Sequence, residues 1–250
     1  MPKFAANLSH LWAELPYLDR FDAAAEAGFE AVEVSFPYDA PAPETQNALR
    51  RNGLQMLSLN APGPNYAGGA RGFAAIAGGE ARFDYDMRRA VRYAQALSAR
   101  CINVLSGVAE GDTARESMIV NLTRAAATLP DDLFLTLEPR NAARHPGYFL
   151  SSFDLAAGII EAVGSAKVAL QYDSCHAHII TGDASGTFAA MRPLIRHIRI
   201  ADAPDRTAPG TGQIDFDALF AAIDASGYDG WVTAAYTPKG RTETGLNWSR

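Results

Sequence analysis

Three side chains suited to proton transfer lie at or just after the ends of two short apolar segments. These segments cover residues 133–138 and residues 168–172. Glu138 ends the first segment, directly before a proline, and Asp173 and His176 follow the second. Such runs are typical of strands buried in a parallel sheet, whose carboxyl ends meet at one edge. Because proline cannot continue a central strand, the first strand is expected to end at Glu138. Two carboxylates and an imidazole at that edge predict general acid–base chemistry or the binding of a cation.

Each of these residues has an alternative interpretation that involves no chemistry. Asp173 could cap the helix that follows it, because aspartate often accepts hydrogen bonds from a first helical turn. Glu138 could be a surface carboxylate, but its place at the end of an apolar strand favours a functional role. Cys175 lies beside the predicted site, and we interpret it as a packing residue because no neighbour in the sequence activates it.

The direction of one arginine side chain can be predicted from strand alternation. Ile198 and Ile200 flank Arg199 in a predicted strand, and aliphatic residues suit the interface between sheet and helices. Arg199 is therefore expected to point inward, together with His197, which we interpret as a hydrogen-bonded core histidine. Other predicted strand ends carry the polar residues Asn7, Glu33, Asn60, Asp202 and Tyr236.

The elements that must position these side chains alternate between strand and helix along the whole chain. Predicted strands cover residues 3–8, 31–35, 54–60, 101–105, 133–138, 168–172, 197–200 and 231–236. Predicted helices cover residues 16–27, 45–52, 83–99, 113–129, 152–163, 187–191 and 215–226, with Thr113 and Glu116 as a capping box. This pattern over 250 residues predicts an α/β fold, a single (β/α)8 TIM barrel spanning residues 1–250.

A doubly wound open sheet is the competing fold, and it usually carries a glycine-rich turn after its first strand. The corresponding turn here, after Asn7, holds no glycine. The glycine-rich segments 63–72 and 209–212 do not sit in a strand–turn–helix context, so we interpret neither as a phosphate-binding loop.

Composition limits the classes of partner and location. A net charge of −6 argues against a nucleic-acid partner. No run approaches the ~20 apolar residues of a membrane span, and the first residues do not resemble a signal peptide. The two cysteines, Cys101 and Cys175, form no disulfide framework, which indicates a cytoplasmic protein.

Short motifs in a consistent order give the chain a wider resemblance. They are residues 6–9, 28–33, 36–38, 60–62, 67–72, 137–141, 171–173, 200–202, 209–212 and 230–232. With these motifs the chain resembles the hydroxypyruvate isomerase family, within the xylose-isomerase-like barrels. The resemblance implies an enzyme that moves a proton between adjacent carbons of a small hydroxy-carbonyl compound. It also implies two glutamates and a divalent metal, Mg²⁺ or Mn²⁺, that stabilises the enediolate.

The resemblance assigns roles to individual residues. Glu138 corresponds to a glutamate that is both catalytic base and metal ligand, and Asp173 to a further metal ligand. His176 and Arg206 correspond to groups that hold substrate oxygens. We expect Asn7, Asn60 and Arg199 to contact the substrate as well.

Two positions depart from the family pattern. Arg199 stands where a glutamine or histidine ligand is usual, and Ala235 stands at the second glutamate. Because arginine stays protonated and has no lone pair for a metal, we expect no tightly bound metal. The guanidinium of Arg199 could instead replace the cation and pair with both Glu138 and Asp173.

Three functions remain open from the sequence. The first is a hydroxypyruvate-isomerase-like enzyme that acts on a small polar carbonyl or sugar-like substrate through Glu138. The second is a metal-independent relative that catalyses another proton-transfer reaction, as an epimerase, lyase or cyclase. The third is a binding barrel without catalysis. The sequence does not indicate an oligomeric state.

Overall fold

The computed structural model describes residues 2–62 and 71–249. Its strands are β1 (Lys3–Asn7), β2 (Ala31–Glu33), β3 (Gln55–Met56), β4 (Ser58–Asn60), β5 (Cys101–Asn103), β6 (Phe134–Leu137), β7 (Val168–Asp173), β8 (Ile195–Ile200) and β9 (Trp231–Ala234). Its helices are α1 (Asp19–Glu26), α2 (Ala42–Arg51), α3 (Glu80–Leu97), α4 (Gly111–Thr128), α5 (Phe153–Val163), α6 (Ser174–Thr181), α7 (Ala184–Met191) and α8 (Phe216–Ala225). None of the helices in the described ranges is long and apolar enough to cross a membrane.

All paired strands are parallel, in the order β3-β2-β1-β9-β8-β7-β6-β5-β4. β3 and β4 are two halves of one barrel strand, interrupted at Leu57. The amide of Asn60 donates to the Ser35 carbonyl oxygen at 2.9 Å, which joins the β4 end of this order to the chain that leaves β2. The sheet therefore forms a nearly closed barrel, and the predicted TIM barrel is confirmed. Counting β3 and β4 as one, β1 and β6 are four positions apart in a ring of eight and face each other.

Strand alternation separates the barrel interior from the helix layer. Ile198 and Ile200 are fully buried against the outer core, and Arg199 between them is only 4% exposed, with its partners inside the barrel. Burying such an aliphatic side chain stabilises the fold by about 1.5–3 kcal/mol. The inward direction predicted for Arg199 is confirmed.

Two local predictions about helices were wrong. α4 begins at Gly111, two residues before Thr113, and its N-cap residue Glu110 makes no side-chain cap. Thr113 thus lies inside the helix, and the capping box with Glu116 does not form. The predicted helices also left out the segment directly after β7, which forms α6, with its first turn capped by Asp173.

The glycine-rich segment 209–212 belongs to the long loop between β8 and α8. A Cβ on Gly212 would lie 2.2 Å from the Ala203 carbonyl oxygen. The Gly212 amide donates to Asp202 at 2.7 Å, so this glycine allows the loop to fold closely against itself. Most of the other segment, 63–72, lies outside the described residues.

Candidate active site

Charged side chains from opposite sides of the barrel meet at its carboxyl end. Glu33 ends β2, Asp173 ends β7, Arg199 lies in β8, and Glu138 follows β6. All four are at most 4% exposed. Parallel strands place their carboxyl ends at one mouth, which is where the active sites of TIM barrels are built.

Glu138 accepts hydrogen bonds on both carboxylate oxygens. Oε1 accepts from Gln171 Nε2 at 2.6 Å and from an Arg199 terminal nitrogen at 2.9 Å. Oε2 accepts from Arg140 Nε at 3.0 Å, and a terminal nitrogen of Arg140 lies 2.8 Å from the same oxygen as an ion pair. The predicted contact between Arg199 and Glu138 is confirmed. Burial alone would raise the pKa of Glu138, but Arg199 and Arg140 outweigh it and hold the pKa well below its usual range.

Arg199 also reaches across the barrel to a second carboxylate. Its Nε lies 2.5 Å from Glu33 Oε1, although the N–H is not aligned for a hydrogen bond. Glu33 Oε2 contacts His197 Nε2 at 2.5 Å, and Asn7 donates to Oε1. His197 is therefore the hydrogen-bonded core histidine that the sequence predicted. Burial raises the pKa of Glu33, and Arg199 and His197 reverse that effect, so the net pKa is lowered.

Asp173 pairs with a different arginine from the one predicted. Its carboxylate accepts hydrogen bonds from both terminal nitrogens of Arg206, one of them at 3.3 Å, and from the His176 amide at 2.9 Å. Among the described residues the ion pairs of Arg199 go to Glu33 and Glu138, so the expected Arg199–Asp173 pair was wrong. The helix-capping alternative for Asp173 is correct alongside the ion pair.

Arg206 is held in place by the loop that follows β8. Its Nε donates to the Ala235 carbonyl oxygen at 2.9 Å, and its own carbonyl oxygen accepts from Thr237 at 2.8 Å. Its φ of 59° lies in the left-handed region, which costs a non-glycine residue about 1 kcal/mol or more. This backbone conformation, together with the Asp173 pair, positions the guanidinium at the mouth.

His176 offers one hydrogen-bond donor to the site. Its Nδ1 accepts from the backbone amide of Asn141 at 3.2 Å, so the ring proton belongs on Nε2. Burial lowers the pKa of His176 to about 4, which keeps the imidazole neutral near pH 7. Cys175 beside it is fully buried, and burial raises the pKa of its thiol to about 11.

The two asparagines predicted to contact substrate have protein partners. Asn7 is fully buried and donates to Glu33. Asn60 is 2% exposed, and its Oδ1 accepts from Asn103 at 3.0 Å and from Arg199 at 3.4 Å. Both side chains position charged groups of the barrel interior.

Several residues of the site were not predicted from the sequence. Arg140 follows Glu138 by two residues, Gln171 precedes Asp173 by two, and Glu33 was noted only as a strand end. His10, in the turn after β1, lies among the charges of the site. The signal that could have identified Gln171 is its spacing of two residues from Asp173, because that spacing places two side chains of one strand on the same face.

The resemblance implies a divalent metal, which the side-chain donor atoms of the site would have to hold. Mg²⁺ and Mn²⁺ require several free oxygen ligands. Here the carboxylates of Glu138 and Asp173 are ion-paired with arginines, Arg199 has no lone pair, and Ala235 has no donor. In residues 2–62 and 71–249, no group of three His, Cys, Asp or Glu side chains could hold a metal ion. The residues present do not fit a divalent metal.

The chain as a whole is similar to known proteins. A family model described as "Xylose isomerase-like TIM barrel" matches residues 21–250. The chain belongs to this family. It is 39% identical over 253 residues to a hydroxypyruvate isomerase of Escherichia coli (strain K12), covering 99% of this chain and 98% of that relative. It is 40% identical over 253 residues to a 2-oxo-tetronate isomerase of Cupriavidus necator, covering 99% and 97%. The resemblance found in the sequence is confirmed.

Solved structures share the fold of this chain. A crystal structure from Brucella melitensis, described as an AP endonuclease of family 2, superposes with a TM-score of 0.96 at 40% identity and covers 99% of this chain and 98% of its own. An L-ribulose 3-epimerase superposes with a TM-score of 0.79 at 20% identity, covering 96% and 82%. At that identity the likeness shows the fold alone.

Proposed function

We propose that this chain isomerises a 2-oxo hydroxy acid of three or four carbons by moving a proton between adjacent carbons at Glu138. Isomerase relatives that align over almost the whole chain support the reaction class, and their names indicate hydroxypyruvate and 2-oxo-tetronate as substrates. The observation that carries the role of Glu138 is its place at the mouth, with Arg140 and Arg199 on its two oxygens. Such acids carry a carboxylate that suits an arginine-rich site.

Binding of the substrate makes Glu138 a stronger base in this proposal. A carboxylate with a strongly lowered pKa removes a proton poorly. The Arg140 side chain is 13% exposed against 3% for Glu138, so it is the partner that an incoming anion reaches first. When the substrate carboxylate binds Arg140, it weakens the pair with Glu138 Oε2 and raises the pKa of the base. The anionic substrate thus activates the group that deprotonates it.

The enediolate charge is stabilised by side chains in this proposal rather than by a metal. The Arg206 guanidinium and the Nε2–H of His176 are donors near Asp173, next to Glu138. Preorganised donors of this kind in a buried site typically contribute about 3–4 kcal/mol each to transition-state stabilisation. The donor set described above supports metal independence.

We further propose a cytoplasmic location and a role in carbohydrate metabolism. Both cysteines are free, as is usual for a protein in a reducing compartment. The substrates named for the relatives are small oxidised sugar acids, which supports the metabolic role.

We expect the purified chain to interconvert 3-hydroxypyruvate and tartronate semialdehyde, or the corresponding 2-oxo-tetronate pair, after treatment with EDTA. Added Mn²⁺ should leave the rate unchanged, because the carboxylates are already paired with arginines. Product formation can be followed by NMR, with heat-denatured protein as the blank. Activity that appears only with added metal would show that the proposed metal independence is wrong. Turnover of neither acid would contradict the proposed function.

We expect hydroxyacetone, which has a methyl group in place of the carboxylate of hydroxypyruvate, to be turned over with a lower kcat. A neutral substrate leaves Arg140 on Glu138, and one guanidinium lowers a carboxyl pKa by about 1–3 units. The loss in kcat should be at least about tenfold, measured at saturating substrate so that weaker binding is separated out. A change in KM alone would show that the substrate carboxylate contributes binding and does not activate the base.

A further inference from the structure

The imidazole of His10 lies at the barrel mouth and has no assigned task in the reaction above. His10 is partly buried, and no hydrogen bond joins its ring to any residue that the structure describes. The charged groups that act on it most are Arg206, Arg199, Glu33 and Asp173, which all belong to the site. An imidazole in this setting has both nitrogens available for a ligand.

The backbone around His10 is fixed. The Asn7 carbonyl oxygen accepts from the His10 amide at 3.1 Å and from the Leu11 amide at 2.9 Å. Ser9 Oγ accepts from the Ser35 amide at 2.9 Å, which fastens the turn to the chain after β2. A group held on such a turn needs little reorganisation before it reacts.

The barrel places His10 opposite Glu138. His10 follows β1 and Glu138 follows β6, and these strands face each other across the ring. β1 is paired with β9, at whose end Ala235 provides no side chain for chemistry. His10 is therefore the titratable side chain contributed by the strand next to this gap, on the far side of a substrate bound at Glu138.

The charge state of His10 suits transfer of a proton in either direction. Burial, together with Arg206 and Arg199, lowers its pKa to about 4 against the opposite effect of Glu33 and Asp173. The ring is neutral near pH 7, with one N–H donor and one lone pair. His176 differs because its Nδ1 is already occupied by Asn141.

The proposed isomerisation needs such a group. Moving a proton between carbons also requires that the hydroxyl oxygen lose a proton and the carbonyl oxygen gain one. Glu138 transfers the carbon-bound proton. Because the residues present do not fit a metal, another side chain must transfer the oxygen-bound proton. We propose that His10 is a catalytic residue that carries the proton from the hydroxyl oxygen to the carbonyl oxygen of the enediolate. This inference rests on the proposed function and completes its chemistry.

For 3-hydroxypyruvate the steps balance as follows. Glu138 takes a proton from C3, and the electron pair of that bond moves through C2 to the carbonyl oxygen. The N–H of His10 protonates this oxygen, and the same nitrogen takes the proton of the C3 hydroxyl, which returns the imidazole to neutral. Protonated Glu138 then delivers its proton to C2, and C3 becomes the aldehyde of tartronate semialdehyde.

The test separates removal of the carbon-bound proton from the complete reaction. In D2O, NMR follows both exchange at C3 of 3-hydroxypyruvate and formation of tartronate semialdehyde, with 2-oxo-tetronate assayed in parallel. We expect His10→Gln to lower isomerisation by about 10²-fold or more while exchange falls much less, because Glu138 remains. His178→Gln is the matched control on α6 and should change neither rate.

A second variant keeps the test valid if the first is misfolded. His10→Ala should regain part of its isomerisation when imidazole is added, which a purely structural role would not produce. The inference is overturned if His10→Gln keeps its isomerisation rate within a few-fold, or if both rates fall equally without rescue by imidazole. Loss of activity in Glu138→Gln but not in the His10 variants would leave the proposed function intact and remove only the role of His10. An inactive natural chain would overturn both.

Discussion

Replacing Glu138 by glutamine is expected to lower kcat for the 2-oxo acid by about 10²–10⁴-fold, the usual contribution of a general base. The amide cannot accept the carbon-bound proton, although it still accepts a hydrogen bond from Arg140 or Arg199. The same variant should lose hydrogen exchange at the substrate carbon, since Glu138 is the group proposed to take that proton. Single-turnover NMR in D2O measures both losses.

The stability of this variant must be measured with its activity. Removing one charge of a buried ion pair typically costs about 3–5 kcal/mol, because the partner is left uncompensated. Arg199 retains Glu33, which moderates this cost, while Arg140 loses its carboxylate. Glu116→Gln on the exposed face of α4 is the matched control and should change neither activity nor the free energy of unfolding. A folded Glu138→Gln protein with near-natural kcat would show that the base is elsewhere.

The second large effect is expected from the double variant Arg199→Gln/Ala235→Glu, which should bind one equivalent of Mn²⁺. The first change removes the cation between Glu33 and Glu138 and adds a neutral oxygen donor. The second places a carboxylate at the end of β9. Together with Glu138 and Asp173 these groups supply the oxygen ligands that Mn²⁺ prefers. Isothermal titration measures the binding, with the natural chain as the reference that shows no tight site.

The effect of the double variant should differ from the sum of the effects of the two single variants. With Arg199→Gln alone, Glu33 and Glu138 lose a shared counter-ion, so stability should fall by about 3–5 kcal/mol without tight metal binding. With Ala235→Glu alone, the new carboxylate lies beside Arg206, whose Nε already bonds to the Ala235 carbonyl oxygen, and pairs with it before it meets a metal. Groups that act as one unit are non-additive in this way. A single variant that binds Mn²⁺ as tightly as the double would show that only one position excludes the metal.

The comparison between sequence and structure is clearest at Arg199. Strand alternation with Ile198 and Ile200 predicted its inward direction, because period-two patterns report the face of a sheet. Its partners did not follow from the pattern. Asp173 is the neighbour of Arg199 in the β7–β8 register, yet the long side chain of Arg199 crosses the barrel to Glu33 and Glu138. Alternation identifies a face, whereas pairing depends on distances between side chains that only closure of the barrel sets.

The sequence by itself determined the alternation of strands and helices, the end of β6 ahead of Pro139, and the family. These features depend on local periodicity, on the missing amide of proline and on short motifs, which all lie within a few residues. Only the tertiary structure decided that Arg206 neutralises Asp173, that Arg140 shares Glu138 with Arg199, and that His10 lies among the charges of the site. Arg206 and His10 come from loops, whose side chains carry no periodic signal, and they reach the site only because the ring of strands brings distant turns together.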